Sequence, residues 1–193
     1  MSGRWAANVR VQSTPFPRSP MSEAEQQRFT FFWQAHSPFS QWHPSDFTVD
    51  GVRYVCAEQY MMAGKARLFG DNEALASILS SKSPKTHKAL GRKVRDFDNT
   101  RWEKARERIV YEGNRAKFTQ SPELLKALLA TAGTELVEAS PVDRIWGVGL
   151  DEEDPRILHP AKWRGLNLLG KVLTKLREDL LAEGVTEASS AES

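Results

Sequence analysis

The stretch "AEQYMMAGKARLFGD", Ala57 to Asp71, has the apolar spacing of a helix and carries two charges on its apolar stripe. Seven residues turn an α-helix through nearly two circuits, so Glu58 and Lys65 share one face about 10 Å apart along the axis. Met62 and Phe69 lie on that face too. Gly64 sits inside the helix at a cost of about 1 kcal/mol relative to alanine, and close approach of another backbone or a ligand would explain it. Two readings of the stripe stand. It is a surface edge with both charges solvated, or it is the wall of a pocket. In a pocket, a desolvated glutamate has a raised pKa and serves as acid or base. A desolvated lysine has a lowered pKa and attacks a carbonyl carbon. Spacing alone does not separate the two.

Working outward, the segment before the helix is β-like. "FTFFW" at 29–33 is short, aromatic and suited to a buried strand. Pro38 and Pro44 force loop geometry on "HSPFSQWHPSD". "FTVDGVRYV" reads as a hairpin, because Asp50-Gly51 is a turn pair flanked by Phe47, Val49, Val52 and Tyr54. After the helix, helical spacing returns over 72–80, 84–94, 99–117, 122–130 and 165–183. Pro84 and Pro122 suit first-turn positions, where the missing N–H costs nothing. The last helix carries a core-facing stripe of Leu169, Val172, Leu173, Leu176 and Leu180. The expected fold is mainly α, with a small β element near the N-terminal side, in one compact domain over 28–183. Residues 1–27, rich in proline, and 184–193, small and polar, are expected to be flexible tails. Trp5 and Phe16 are the residues that would pin the first tail to the body.

Bulk properties exclude little. The chain has 193 residues and a net charge of +2, too small by itself to argue for nucleic acid. One cysteine, Cys56, rules out an internal disulfide. No apolar run approaches a membrane span, and a cytoplasmic protein without a membrane partner is expected. His36, His43, His87 and His159 lack metal-ligand spacing, so neither metal nor cofactor is expected. A GxSxG elbow and nucleotide glycine fingerprints are absent from the sequence. Cys56 precedes the helix and reads as a small core residue rather than a nucleophile.

Other candidates lie on loops. In "DRIWGVGL", Asp143 precedes Trp146 and two glycines. The tryptophan could stack a flat ring or sit in the core beside a turn. Ser40, Trp42 and His43 share a loop and would suit a sugar or base. "RWEKARERIVYEGNRAKF" (101–118) is basic, but interleaved glutamates make it read mostly as a solvated face with i, i+4 pairs.

In this order the blocks "FFW", "SPFSQW", "FTVDGVRYVCAEQYMMAGKARLFGD", "RWEKARERIVYEGNRAKFTQ", "LLATAGTELVEASPVDRIWGVGL" and "WRGLNLLGKVLTKLREDL" resemble the NADAR, or YbiA-like, family over residues 31–180. The resemblance implies a single YbiA-like domain and an N-glycosidase that cleaves the bond between a ribose anomeric carbon and nitrogen. One branch removes ADP-ribose from the amino group of guanine in DNA or RNA. Another is associated with phosphoribosylamino-pyrimidine intermediates of riboflavin biosynthesis. By that resemblance Glu58 and Lys65 are catalytic. Trp33, Ser40, Trp42, Asn114, Asp143, Trp146, Gly147 and Asn167 bind substrate, with Gly165 and Gly170 completing the pattern near the last helix. The family commonly has Ser-Asn-aromatic where this chain has Ser40-Gln41-Trp42, which puts substrate choice in doubt. A genetic link to an ADP-ribosyltransferase is left open, as is oligomeric state. Two other classes compete with an enzyme: a module that holds ADP-ribose without cleaving it, and a helical nucleic-acid adaptor whose affinity falls steeply with salt.

Overall fold

The computed structural model describes residues 28–185; both expected tails, with Trp5 and Phe16, lie outside the described residues. Four strands and six α-helices follow in chain order. They are β1 (Phe29–Phe32), β2 (Phe47–Val49), β3 (Val52–Tyr54), α1 (Ala57–Phe69), α2 (Asn72–Ser80), α3 (Pro84–Gly91), α4 (Asn99–Thr119), α5 (Pro122–Leu129), β4 (Glu135–Glu138) and α6 (Leu168–Ala182). Two short 3-10 turns, Pro155–Leu158 and Pro160–Lys162, precede α6. No described helix is long and apolar enough to cross a membrane.

Local chemistry explains most boundaries. Asp50 and Gly51 both take positive φ, 51° and 74°, the geometry a two-residue hairpin needs. Asp71, Ser83, Asp98 and Ser121 each accept a backbone N–H in the first turn of α2, α3, α4 and α5. Gly70 closes α1 in the left-handed region at φ 71°. The last helix starts at Leu168 rather than 165, because Asn167 is itself left-handed at φ 53°.

β4, "ELVE", is absent from the sequence-based expectation. It pairs in parallel with β1, Phe29 opposite Glu135 and Phe32 opposite Glu138. Four residues carry too little pattern to announce a strand, and the partner is a hundred residues away. The β element is therefore split: the β2–β3 hairpin lies near the front, and the β1–β4 pair joins the front to the back of the chain.

α1 is the hub. It packs on α2, α3 and α4, while α6 covers β4 and α4. Glycines set the approach. A Cβ on Gly64 would lie 2.6 Å from Ile109 Cγ2 of α4, so Gly64 answers to a neighbouring helix rather than a ligand. Gly91 and Gly113 accept Met62 and the Tyr60 ring in the same way. The main core gathers Phe32, Met61, Ile109, Phe118, Leu136, Leu169 and Leu173. A smaller cluster of Phe29, Val137, Val148, Leu150 and Ile157 lies beneath Trp163, whose indole donates to the Ile157 carbonyl at 2.6 Å.

Candidate active site

A cavity of about 910 Å³ opens where α1, α3, the first loop, the end of β4 and the loop after it meet. Seven of the ten expected site residues line it: Glu58, Lys65, Trp33, Ser40, Trp42, Asp143 and Trp146. Met61, Met62, Trp102 and Leu169 supply apolar wall, and Lys88, Arg92 and Arg144 supply cations. Phe69 is not in the wall. It lies about 16 Å along the helix axis from Glu58, beyond the cavity, and its ring meets Phe97 at 5.3 Å.

The first loop is tied to the start of α1. The Glu58 N–H, unpaired within its own helix, donates to the Gln41 carbonyl at 2.9 Å. The loop is held from behind by α4. Lys117 donates to the carbonyls of Pro38 (2.6 Å) and Ser40 (3.0 Å). Asn114 donates to Gln41 Oε1 at 2.8 Å. Lys117 and Arg106 are buried, so the expectation of a solvated basic face fails for them: the side of α4 turned to the loop is interior. Burial lowers the Lys117 amine to about 7, which weakens its need for a counter-ion, and carbonyl acceptors hold it in place.

Asn114, Gly147 and Asn167 stand behind the wall rather than in it. Asn114 is fully buried and braces Gln41. A Cβ on Gly147 would come 2.9 Å from the Glu138 carbonyl and 3.1 Å from that of Asp143, so glycine lets the loop lie against β4. Asn167 accepts the Glu138 N–H at 3.1 Å and donates to the Leu136 carbonyl at 3.0 Å. His43, on the same loop as Ser40, is outside the lining and hydrogen-bonds the Ala35 carbonyl. Cys56 is buried, 3.7 Å from His87 Nδ1, and burial pushes its thiol up to about 11.

The electrostatics are unusual for a neutral-pH surface. Glu58 is 3% exposed, and its Oε1 has no hydrogen-bond partner. Burial raises its carboxyl to about 7, against the pull of Lys88 and a hydrogen bond from Trp42. Burial also lowers the pKa of Lys65. Its Nζ lies 4.1 Å from the Phe97 ring centre and 5.5 Å from that of Trp102, contacts that favour the ammonium form and oppose the shift. Asp143 caps its own loop, accepting the N–H groups of Ile145 and Trp146, and its other oxygen is 3.8 Å from Lys88 Nζ.

Among the lining groups that the sequence does not single out, Lys88 and Arg92 included, one is a carboxyl. Glu138, at the end of β4, has an enclosed Oε2 without a partner. Burial, with Asp143 and Glu58 nearby, raises it to about 8 despite Lys88. The signal that could have found it is its place two residues before Ser140 and five before Asp143, both in the wall.

The sequence and the fold have counterparts. The NADAR domain matches residues 31–181, and the chain belongs to that family. N-glycosidase R617 of Acanthamoeba polyphaga mimivirus is 46% identical over 166 residues, which is 80% of this chain and 98% of that protein. The NMR structure of the E. coli protein YbiA superposes with a TM-score of 0.68 at 30% identity, covering 82% of this chain and 88% of that one. Riboflavin biosynthesis protein PYRR, chloroplastic, of Zea mays is 30% identical over 93% of this chain but only 29% of its own length.

Proposed function

We propose that this chain, a hydrolase of N-glycosyl bonds, removes ADP-ribose from guanine bases of nucleic acid. The activity class rests on family membership and on a relative named an N-glycosidase that is matched over nearly its whole length. One observation carries the choice of substrate. The cavity, at about 910 Å³, has a buried carboxylate and a half-buried amine in its wall and three cations among its lining. That volume is near the top of the range for small-molecule sites, roughly 300–1,000 Å³. It suits a ribose with a base on one side and a pyrophosphate on the other. Trp33, Trp42 and Trp146 offer flat faces to the bases, and Lys88, Arg92 and Arg144 offer charge to the phosphates.

Breaking a ribosyl C–N bond develops positive charge on the anomeric carbon, which Glu58 is placed to offset once ionised. In the preferred sequence the N-linked ribose opens to an imine. Lys65 Nζ bonds to that carbon, the guanine nitrogen leaves with its electron pair and a proton, and water then displaces Lys65 to free the sugar. Glu58 carries protons to and from the attacking groups. In the simpler sequence Glu58 takes a proton from water, which attacks directly, and Lys65 only binds.

A second reading is favoured by one finding, the PYRR relative: hydrolysis of a phosphoribosylamino-pyrimidine by the same residues. The deciding assay sets an oligonucleotide bearing ADP-ribosylated guanine beside that pyrimidine, using wild type, Glu58→Gln and Lys65→Ala. The expected outcome is cleavage of the oligonucleotide, lost by at least about 100-fold in both variants. Cleavage of the pyrimidine alone transfers the function to the metabolite. Binding of ADP-ribose with neither cleavage overturns both. Borohydride during turnover should fix a sugar on Lys65; near-normal activity of Lys65→Arg would exclude the covalent sequence.

A further inference from the structure

Glu138 has a pinned backbone and an unclaimed head group. Its N–H donates to Asn167 Oδ1 at 3.1 Å, and its carbonyl accepts the Val148 N–H at 3.0 Å. Asn167 is itself fully buried and tied to the Leu136 carbonyl. The side chain, by contrast, lines the cavity with Oε2 out of solvent and without a partner. Buried polar atoms nearly always have a partner, so an enclosed oxygen left unpaired in a cavity wall is open to one that a ligand supplies. Three charged groups face it: Asp143 from the loop, Glu58 from α1 and Lys88 from α3. Two negative neighbours against one positive, in a confined space, favour a carboxyl that keeps its proton at neutral pH.

We propose that Glu138 is the proton donor to the leaving nitrogen. This rests on the hydrolase reading above, but not on which base is removed. As the anomeric C–N bond breaks, its electron pair returns to nitrogen. The Glu138 carboxyl gives its proton to that nitrogen and becomes a carboxylate. The new bond to the anomeric carbon comes from Lys65 Nζ or from water oxygen. The water consumed in hydrolysis returns a proton to Glu138 by way of Glu58. Two carboxyl groups thus divide the work: Glu58 serves the attacking group and Glu138 the departing one.

The test compares wild type with Glu138→Gln on the ADP-ribosylated oligonucleotide and on the pyrimidine from about pH 6 to about pH 9. Glutamine keeps the shape and can hydrogen-bond but cannot release a proton. The expected result is a kcat loss of roughly 100-fold or more, KM nearly unchanged, and loss of the alkaline limb of the pH profile. Glu138→Ala should regain activity with formate. A variant that keeps its rate within about threefold, or keeps the alkaline limb, overturns the proposal. Should wild type cleave neither substrate, it is the substrate reading that fails. The carbon-13 titration of Glu138 in the unliganded protein then decides, as it does if the variants do not fold. A carboxyl still protonated at neutral pH supports the assignment, and one ionised below about pH 6 sinks it.

Discussion

Glu58 is held in balance by residues that act in opposite directions. Burial raises its carboxyl, while Lys88 and the Trp42 hydrogen bond lower it. Trp42→Phe keeps the ring but removes the donor. The Glu58 pKa should then climb further above its ordinary value. The acid limb of kcat/KM should move up with it; a limb that stays in place would mean Glu58 does not set it. Glu58 is one of the charges that raise Glu138, so a change at one bears on the other. That Glu58 and Lys65 share one stripe with apolar company was legible from helical spacing, and the family resemblance singled them out; that both line a cavity was not legible. Nor was Glu138. In "ELVEAS" it looks like any polar residue at a strand end, and only the β1 pairing and the Asn167 contact aim it inward.

α4 does two jobs. One side packs on α1 through Ile109 and Gly64, and part of it grips the first loop through Asn114 and Lys117. Lys117→Met keeps an unbranched chain of similar length and leaves the Pro38 carbonyl without its donor. The loss of stability should be about 1–3 kcal/mol, with a larger rise in KM than fall in kcat, because Ser40, Gln41 and Trp42 lose their support. Denaturant unfolding and steady-state kinetics check this together; unchanged KM would mean the loop holds its shape without α4. Helix limits were largely readable from caps and prolines, and the hairpin from Asp50-Gly51. β4 and the inward lysine were not. A four-residue strand has almost no period, and whether a basic residue on a long helix faces water depends on what lies over it.

The whole molecule accepts a stability cost at the site. Glu58 and Glu138 both titrate well above the usual glutamate range. A folded-state pKa above the unfolded one means the folded chain binds the proton more tightly. The stability this gives is complete below the unfolded pKa and is lost as pH rises through about 7 for Glu58. Above that, ionised Glu58 burdens the fold by up to about 3 kcal/mol. Glu58→Gln escapes the burden. Its Tm relative to wild type should be clearly more favourable near pH 8.5 than near pH 5, by several degrees at about 2–4 °C per kcal/mol. Equal differences at the two pH values would show that Glu58 is not desolvated.

What the sequence by itself determined is what depends on neighbours in the chain: the helix that pairs Glu58 with Lys65, the hairpin turn, the caps, and the ordered blocks that identify the family. Tertiary structure alone decided that the stripe from Glu58 to Lys65, though not Phe69, is a cavity wall, and that Asn114, Gly147 and Asn167 brace it from behind. It also decided that β4 delivers a further carboxyl, Glu138, to a wall that already holds Glu58 and Asp143. The reason is physical. Spacing fixes which side chains share a face, but a pKa or a pocket is set by what covers that face. The covering segments come from as far along the chain as Trp33, Lys88 and Asp143.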